Sequence, residues 1–166
     1  MIDRRRFLLS GISFIGVAAV AAPFAARNFA HAATEVFEVT KTEEEWRQIL
    51  TPEQYHVLRE EGTEYAGSSP LLGEKREGTF NCAGCDLPLY SSETKYESGT
   101  GWPSFWAAID GAVGTRDDMS LFMARTEVHC ARCGGHLGHI FDDGPPPTGK
   151  RHCINGLALV FRPATA

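Results

Sequence analysis

Apolar residues recur at two different spacings along this chain, and the spacing changes near residue 62. Before that point the period is helical. Trp46, Ile49 and Leu50 fall at i, i+3 and i+4, one face of a short helix. The preceding Thr42-Glu43-Glu44-Glu45 has the form of a capping box, with Thr42 capping and Glu45 reaching back. Thr51-Pro52-Glu53-Gln54 repeats the signal with proline at the first helical position, Tyr55 and Leu58 continue the apolar face, and Gly62 is the expected stop. Beyond Gly62 no helical period outlasts two turns. Short runs rich in β-branched and aromatic residues take over: Thr79-Phe80-Asn81-Cys82, Leu121-Phe122-Met123-Ala124 and Leu157-Ala158-Leu159-Val160-Phe161 are the expected strands. Gly144-Pro145-Pro146-Pro147 can only be a loop. The pattern predicts two helices followed by a mainly β body with long connections.

One apolar stretch stands outside this scheme. Residues 7–26 carry no charge, follow Asp3-Arg4-Arg5-Arg6, and lead to Ala30-His31-Ala32. A basic run, an apolar run and small residues at a cleavage site make the plan of a signal peptide. Paired arginines followed one residue later by Phe7-Leu8 resemble the twin-arginine export signal of bacteria. The expectation is a signal peptide over residues 1–32, a linker over 33–41 and one domain over 42–163, exported to the periplasm with no lasting membrane insertion. The alternative is an uncleaved inner-membrane anchor, since 20 uncharged residues can span a bilayer.

Charge sharpens the division. The 166 residues carry 16 basic and 21 acidic side chains, a net charge of -5. Without the first 32 residues, 12 basic and 20 acidic groups remain, so the body is strongly acidic. That argues against a nucleic-acid-binding protein held by a broad basic face. The 43% hydrophobic content excludes wholesale disorder. The remaining 134 residues are enough to bury roughly two-thirds of their unfolded surface and to fold alone.

Five cysteines change the picture most. Cys82-Ala83-Gly84-Cys85 and Cys130-Ala131-Arg132-Cys133 are two C-x-x-C knuckles, each able to aim two sulfurs at one ion. Four thiolates close a tetrahedral site with no open position, which makes it structural: one zinc per chain is expected, with iron the alternative. Redox-active pairs and disulfides are the competing readings. A disulfide inside C-x-x-C closes too small a ring to stabilise much, and no thioredoxin-like βαβ pattern is present.

The fifth is Cys153, in Arg151-His152-Cys153-Ile154-Asn155-Gly156. If this segment is extended, Arg151, Cys153 and Asn155 share a face, and a guanidinium two residues from a thiol favours the reactive thiolate. Upstream, His136 and His139 lie on a glycine-flanked stretch. A small buried hydrophobe is the bland reading of Cys153, and a second metal site or plain surface that of the histidines. Spacing alone leaves these open.

Several longer segments resemble those of the B-type methionine sulfoxide reductases: Gly99-Thr100-Gly101-Trp102-Pro103-Ser104-Phe105, then His136-Leu137-Gly138-His139-Ile140-Phe141-Asp142-Asp143, then Arg151-His152-Cys153-Ile154-Asn155. The two knuckles and the order of the parts match as well, from about residue 42 to 163. The resemblance implies a β-sandwich-like or rolled antiparallel fold, short amino-terminal helices and a zinc clamp away from the active site. It also implies reduction of the R epimer of methionine sulfoxide, free or in proteins, as repair after oxidative stress. Cys153 is then the nucleophile and Arg151 helps activate it. Trp102 packs on the substrate methyl group, with Phe105 beside it, and His136, His139 and Asn155 hold a water or the sulfoxide oxygen.

Three departures from the family pattern stand out. His152 replaces an aromatic residue, Gly156 replaces serine, and Thr100 occupies the place of a resolving cysteine. Recycling is therefore expected to need an external thiol, such as a thioredoxin-like protein. Two other classes remain as readings: an inactive zinc-ribbon-like binding module, and a thiol-disulfide oxidoreductase working through its knuckles.

Overall fold

The computed structural model describes residues 35–119 and 124–165. The segment expected to be a signal, residues 1–32, lies outside the described residues, as does all but Ala124 of the strand expected over 121–124.

Both helices form where the capping signals place them. Helix α1 (Glu43–Ile49) and helix α2 (Pro52–Glu60) each open on a complete capping box, Thr42 with Glu45 and Thr51 with Gln54. Trp46, Leu50, Tyr55, Val57 and Leu58 are buried, whereas Ile49 is 53% exposed at the end of α1. The stop comes one residue earlier than expected: Glu61, not Gly62, takes the left-handed conformation, at φ 56°. Residues 35–41 form no helix or strand, yet they are not a detached linker. Val39 N–H donates to the Arg132 carbonyl (3.0 Å), and Phe37 meets the His129 ring edge-on.

Among the described residues nine strands follow: β1 (Gly78–Cys82), β2 (Pro88–Ser91), β3 (Lys95–Tyr96), β4 (Ser104–Phe105), β5 (Val113–Asp118), β6 (Arg125–Cys130), β7 (His136–Phe141), β8 (Arg151–Ile154) and β9 (Leu159–Pro163). They build two antiparallel sheets, β2-β1-β9 and β3-β4-β8-β7-β6-β5. The mainly β expectation holds. The sheets meet through aromatic side chains: Phe105 of β4 stacks on Tyr90 of β2 at 4.3 Å between centroids and meets Phe80 of β1 edge-on at 5.0 Å. All three are fully buried, and such aromatic contacts add to the stabilisation from burial alone.

The strand expected over residues 157–161 starts late. Gly156–Ala158 is a 3-10 turn and β9 begins at Leu159. The Gly156 and Leu157 N–H groups both donate to the Glu64 carboxylate, so neither is available to a ladder. Strands β6 and β7 escape pattern reading because polar residues fill several of their buried positions: Glu127, His129 and His136 are each less than 5% exposed.

Candidate active site and four-cysteine cluster

Cys153 sits on β8, and strand alternation decides what it faces. Its neighbours His152 and Ile154 point into the core, where the His152 ring meets the Tyr90 hydroxyl at 3.2 Å. Burial pushes the His152 imidazole down to about 4, which keeps it neutral. Cys153 therefore points to the opposite face, with Arg151.

Register then assembles a row across the large sheet. Cys153 pairs with Ser104 on one side and His139 on the other; beyond them Tyr96 pairs with Ser104, Glu127 with His139, and Arg116 with Glu127. Directly paired residues put their side chains on the same face. The next register row, Phe105 beside His152, lies on the core face. Phe105 is thus a core residue and not part of a pocket, contrary to expectation.

Glycine in β7 also has a positional reason. A Cβ on Gly138 would lie 2.0 Å from the Cys153 carbonyl oxygen, so the two strands approach too closely for any side chain there. A register shift between Val128 and His129 brings His136 and His139 together, rings 5.5 Å apart, although they lie three residues apart in a strand.

Cys153, Trp102, His139 and Asn155 line a cavity of about 160 Å³, with Thr63, Arg125, Gly138 and Phe141 completing its wall. The Trp102 indole N–H donates to the Glu64 carbonyl (3.2 Å). Asn155 accepts from the Glu64 N–H (3.0 Å) and donates to the Leu137 carbonyl (3.0 Å), leaving one amide hydrogen. His139 Nε2 lies 2.8 Å from Asp118, which itself binds Arg125. Burial lowers the His139 pKa more than Asp118 restores it, so this ring is neutral at pH 7 and donates from Nε2 to the carboxylate. His136 lies one step further out. It binds Glu127 through Nδ1 (2.7 Å) and faces a neighbouring cavity of about 400 Å³, which also touches His139 and Thr63.

The environment of the thiol differs from the expectation in one respect. Burial raises the Cys153 pKa, while the Thr100 hydroxyl (4.0 Å from the sulfur) and the Arg151 charge lower it; burial is the largest influence. Arg151 is shared between Cys153 and an acidic partner. Its guanidinium forms a two-point bond with Asp143 (2.8 and 2.9 Å) and lies over Phe141.

The other four cysteines form a separate cluster. The sulfurs of Cys82, Cys85, Cys130 and Cys133 all lie within 4.8 Å of one another, with Cys82–Cys133 at 3.7 Å and Cys85–Cys130 at 3.5 Å. A tetrahedral ion with 2.3 Å bonds to sulfur has edges of about 3.8 Å, so the donor set fits one metal ion. Trp46 and Leu58 pack nearby, the Trp46 ring 3.3 Å from where a Gly84 Cβ would stand and Leu58 3.0 Å from that of Gly135.

Spacing alone missed Thr63, Glu64, Asp118, Arg125 and Glu127. Thr63 and Glu64 come from a coil some ninety residues before Cys153, with no motif to mark them. Asp118, Arg125 and Glu127 sit in strands whose polar composition hides them.

The family described as the SelR domain matches residues 50–163. A protein named peptide methionine sulfoxide reductase MsrB from Methanosarcina barkeri is 57% identical over 125 residues, covering 75% of this chain and 88% of its own length. One of the same name from Agrobacterium fabrum is 52% identical over 127 residues, 76% of this chain and 94% of that protein. Another from Pseudomonas putida is 55% identical over 127 residues, 76% and 96% of the respective chains. With a domain match spanning most of its length and relatives above half identity, this chain belongs to the SelR-domain family.

Proposed function

We propose that this chain is a peptide-methionine (R)-S-oxide reductase whose nucleophile is Cys153. The observation that carries the reading is the cavity itself: one thiol, an indole wall at Trp102, and the polar groups of His139 and Asn155 opposite. The Cys153 thiolate attacks the sulfoxide sulfur, forming a transient S–S bond as the oxygen takes a proton from solvent. The hydroxyl then passes to the Cys153 sulfur while the methionine S–O and S–S bonds break, so methionine leaves as the reduced thioether and Cys153, oxidised by two electrons, is left as a sulfenic acid. The free amide hydrogen of Asn155 holds the oxygen while it gains the proton, and Trp102 packs on the methyl group. His139, whose Nε2–H is held by Asp118, offers its Nδ1 lone pair to a water or to the protonated oxygen. His136 acts from behind His139 through its ring contact. Arg151 trims a thiol pKa that burial raises. The two faces of the sulfoxide differ only in where the oxygen lies, so the polar wall selects the epimer.

Recycling runs through an external thiol. Thr100 places a hydroxyl beside Cys153, and the other four sulfurs cluster with one another. One reductant thiol condenses with the sulfenic acid, releasing water and leaving a mixed disulfide. A second thiol, on a thioredoxin-like protein or a small dithiol, then frees Cys153. The metal of the cluster is zinc in this reading, held by Cys82, Cys85, Cys130 and Cys133 in a structural role. The amino-terminal arginines and the residues after them support export to the periplasm by the twin-arginine route.

The test is turnover on resolved epimers, followed by one turnover without reductant and trapping with dimedone. Consumption of the R epimer alone and a sulfenic adduct on Cys153 are expected. Turnover of the S epimer, or a disulfide from Cys153 to a cluster cysteine, would overturn the scheme.

A further inference from the structure

The 3-10 turn Gly156–Ala158 directly follows the strand of Cys153, and its first N–H groups need an acceptor. The residue in the capping position, Asn155, supplies no side-chain cap, because its amide is bound to the Glu64 N–H and the Leu137 carbonyl. The cap comes instead from Glu64. One carboxylate oxygen accepts from Gly156 (2.5 Å) and the other from Leu157 (3.3 Å), with Glu64 only 8% exposed. In return, the Glu64 peptide groups hold two side chains of the pocket. Its N–H donates to Asn155 and its carbonyl accepts from the Trp102 indole. The same coil is anchored twice more. Gly67 N–H donates to the Gly101 carbonyl (2.8 Å), and a Cβ on Gly156 would lie 1.9 Å from the Ser69 hydroxyl oxygen. Glycine at 156, where the resemblance leads one to expect serine, is therefore what lets Ser69 sit against the turn.

We propose that Glu64 is a positioning residue for the substrate pocket: its buried carboxylate clasps the turn after Cys153, and its own peptide groups thereby fix Asn155 and Trp102. A carboxylate suits this task because both its oxygens accept. An amide would turn a donor toward one of the two N–H groups. The wall that packs on substrate and the polar side that meets the oxygen are thus set by one residue that touches neither substrate nor thiol.

The inference rests on the proposed activity only where it is read by kinetics, so a second readout is independent of turnover. Each tryptophan indole N–H gives a separate amide-type signal in a 15N spectrum, assignable through Trp46→Phe and Trp106→Phe variants. In Glu64→Gln, hydrogen exchange at the Trp102 indole is expected to quicken roughly tenfold or more. KM for the R epimer is expected to rise about tenfold with kcat changing less than about threefold, the mark of lost uniform binding. Native alkylation of Cys153 by iodoacetamide is expected to stay within about twofold. In a Trp102→Phe background, which lacks the indole donor, the KM effect of Glu64→Gln is expected to shrink to about threefold or less. Glu64→Asp keeps the charge with a shorter reach and is expected to fall between wild type and Glu64→Gln.

Unchanged indole exchange in Glu64→Gln, or an equal KM effect in both backgrounds, would overturn the proposal. So would loss of the cooperative fold in both Glu64 variants, which would make Glu64 a general stability residue. If the wild type reduces neither epimer, the proposed activity falls, while indole exchange still decides the role of Glu64.

Discussion

The two sulfur sites are built from the same residue type and share nothing else. In the four-cysteine cluster, sulfurs face sulfurs: Cys82 and Cys133 stand 3.7 Å apart, and three of the four residues are no more than 3% exposed. Around Cys153 a lone sulfur meets a hydroxyl, an engaged guanidinium and an open cavity. Proximity among like donors makes a place for a cation. Isolation among unlike polar groups makes a place for a reaction. The cluster is assembled by two local turns, each from a two-residue spacer, whereas the cavity is assembled by strand register and one long-range coil.

The sharpest way to break this comparison is to exchange the consequences of losing a thiol. Cys85→Ser is expected to lose the metal and the cooperative fold together, since four-sulfur binding contributes of order 10 kcal/mol to folding. Metal content by atomic emission and the thermal transition check it; a folded, metal-free, active variant would contradict the structural role. Cys153→Ser is expected to do the reverse, lowering turnover at least about a thousandfold with the metal content and Tm of the wild type. Residual activity within tenfold would remove Cys153 from the nucleophile position.

Two aromatic residues of one motif, Trp102 and Phe105, sharpen the contrast between pocket and core. Phe105→Ala is expected to cost about 3–5 kcal/mol by denaturant titration, because it empties a stacked, fully buried site. Trp102→Ala is expected to raise KM for the R epimer about tenfold or more and to leave stability nearly unchanged. If their effects were interchanged, the register pairing of Phe105 with His152 would be wrong.

The smallest expected effect concerns pH. The folded state holds His152 at about 4 against an ordinary value of 6.5, so the unfolded chain binds the extra proton between those values. Stability from this residue is complete above about pH 6.5, and up to about 3 kcal/mol is lost as pH falls to about 4. His129 and His139, also lowered by burial, act in the same direction. Urea midpoints at pH 7 and pH 4.5 should therefore differ less in His152→Phe than in the wild type. An equal difference would mean that His152 is not buried in its neutral form.

What could be read without the structure was local. Thr42 and Thr51 announce their helices because a cap acts within four residues, and the knuckles announce a metal because two sulfurs three residues apart can reach one ion. The alternation that places Arg151 beside Cys153 is equally local. Glu61 took the helix stop from Gly62 because several neighbouring residues can end a helix within one turn.

The remaining features belong to the tertiary structure, and the reason in each case is distance along the chain. Composition cannot tell that Glu127 stands in line with Cys153, because that depends on the registers of three strands at once. Nor can it tell that Phe105 faces the core while Trp102 lines the cavity, because the face a strand residue takes is set by its pairing partner. Glu64 is the clearest case. Its carboxylate acts on the backbone of Gly156 and Leu157, whose N–H groups every residue but proline carries, so no side-chain pattern could mark the contact before the chain was folded. The amino-acid sequence by itself determined the helices, the four sulfurs that can hold a metal ion and the identity of the neighbours of Cys153 on its own strand. Which distant groups surround that thiol was decided only when the strands found their register.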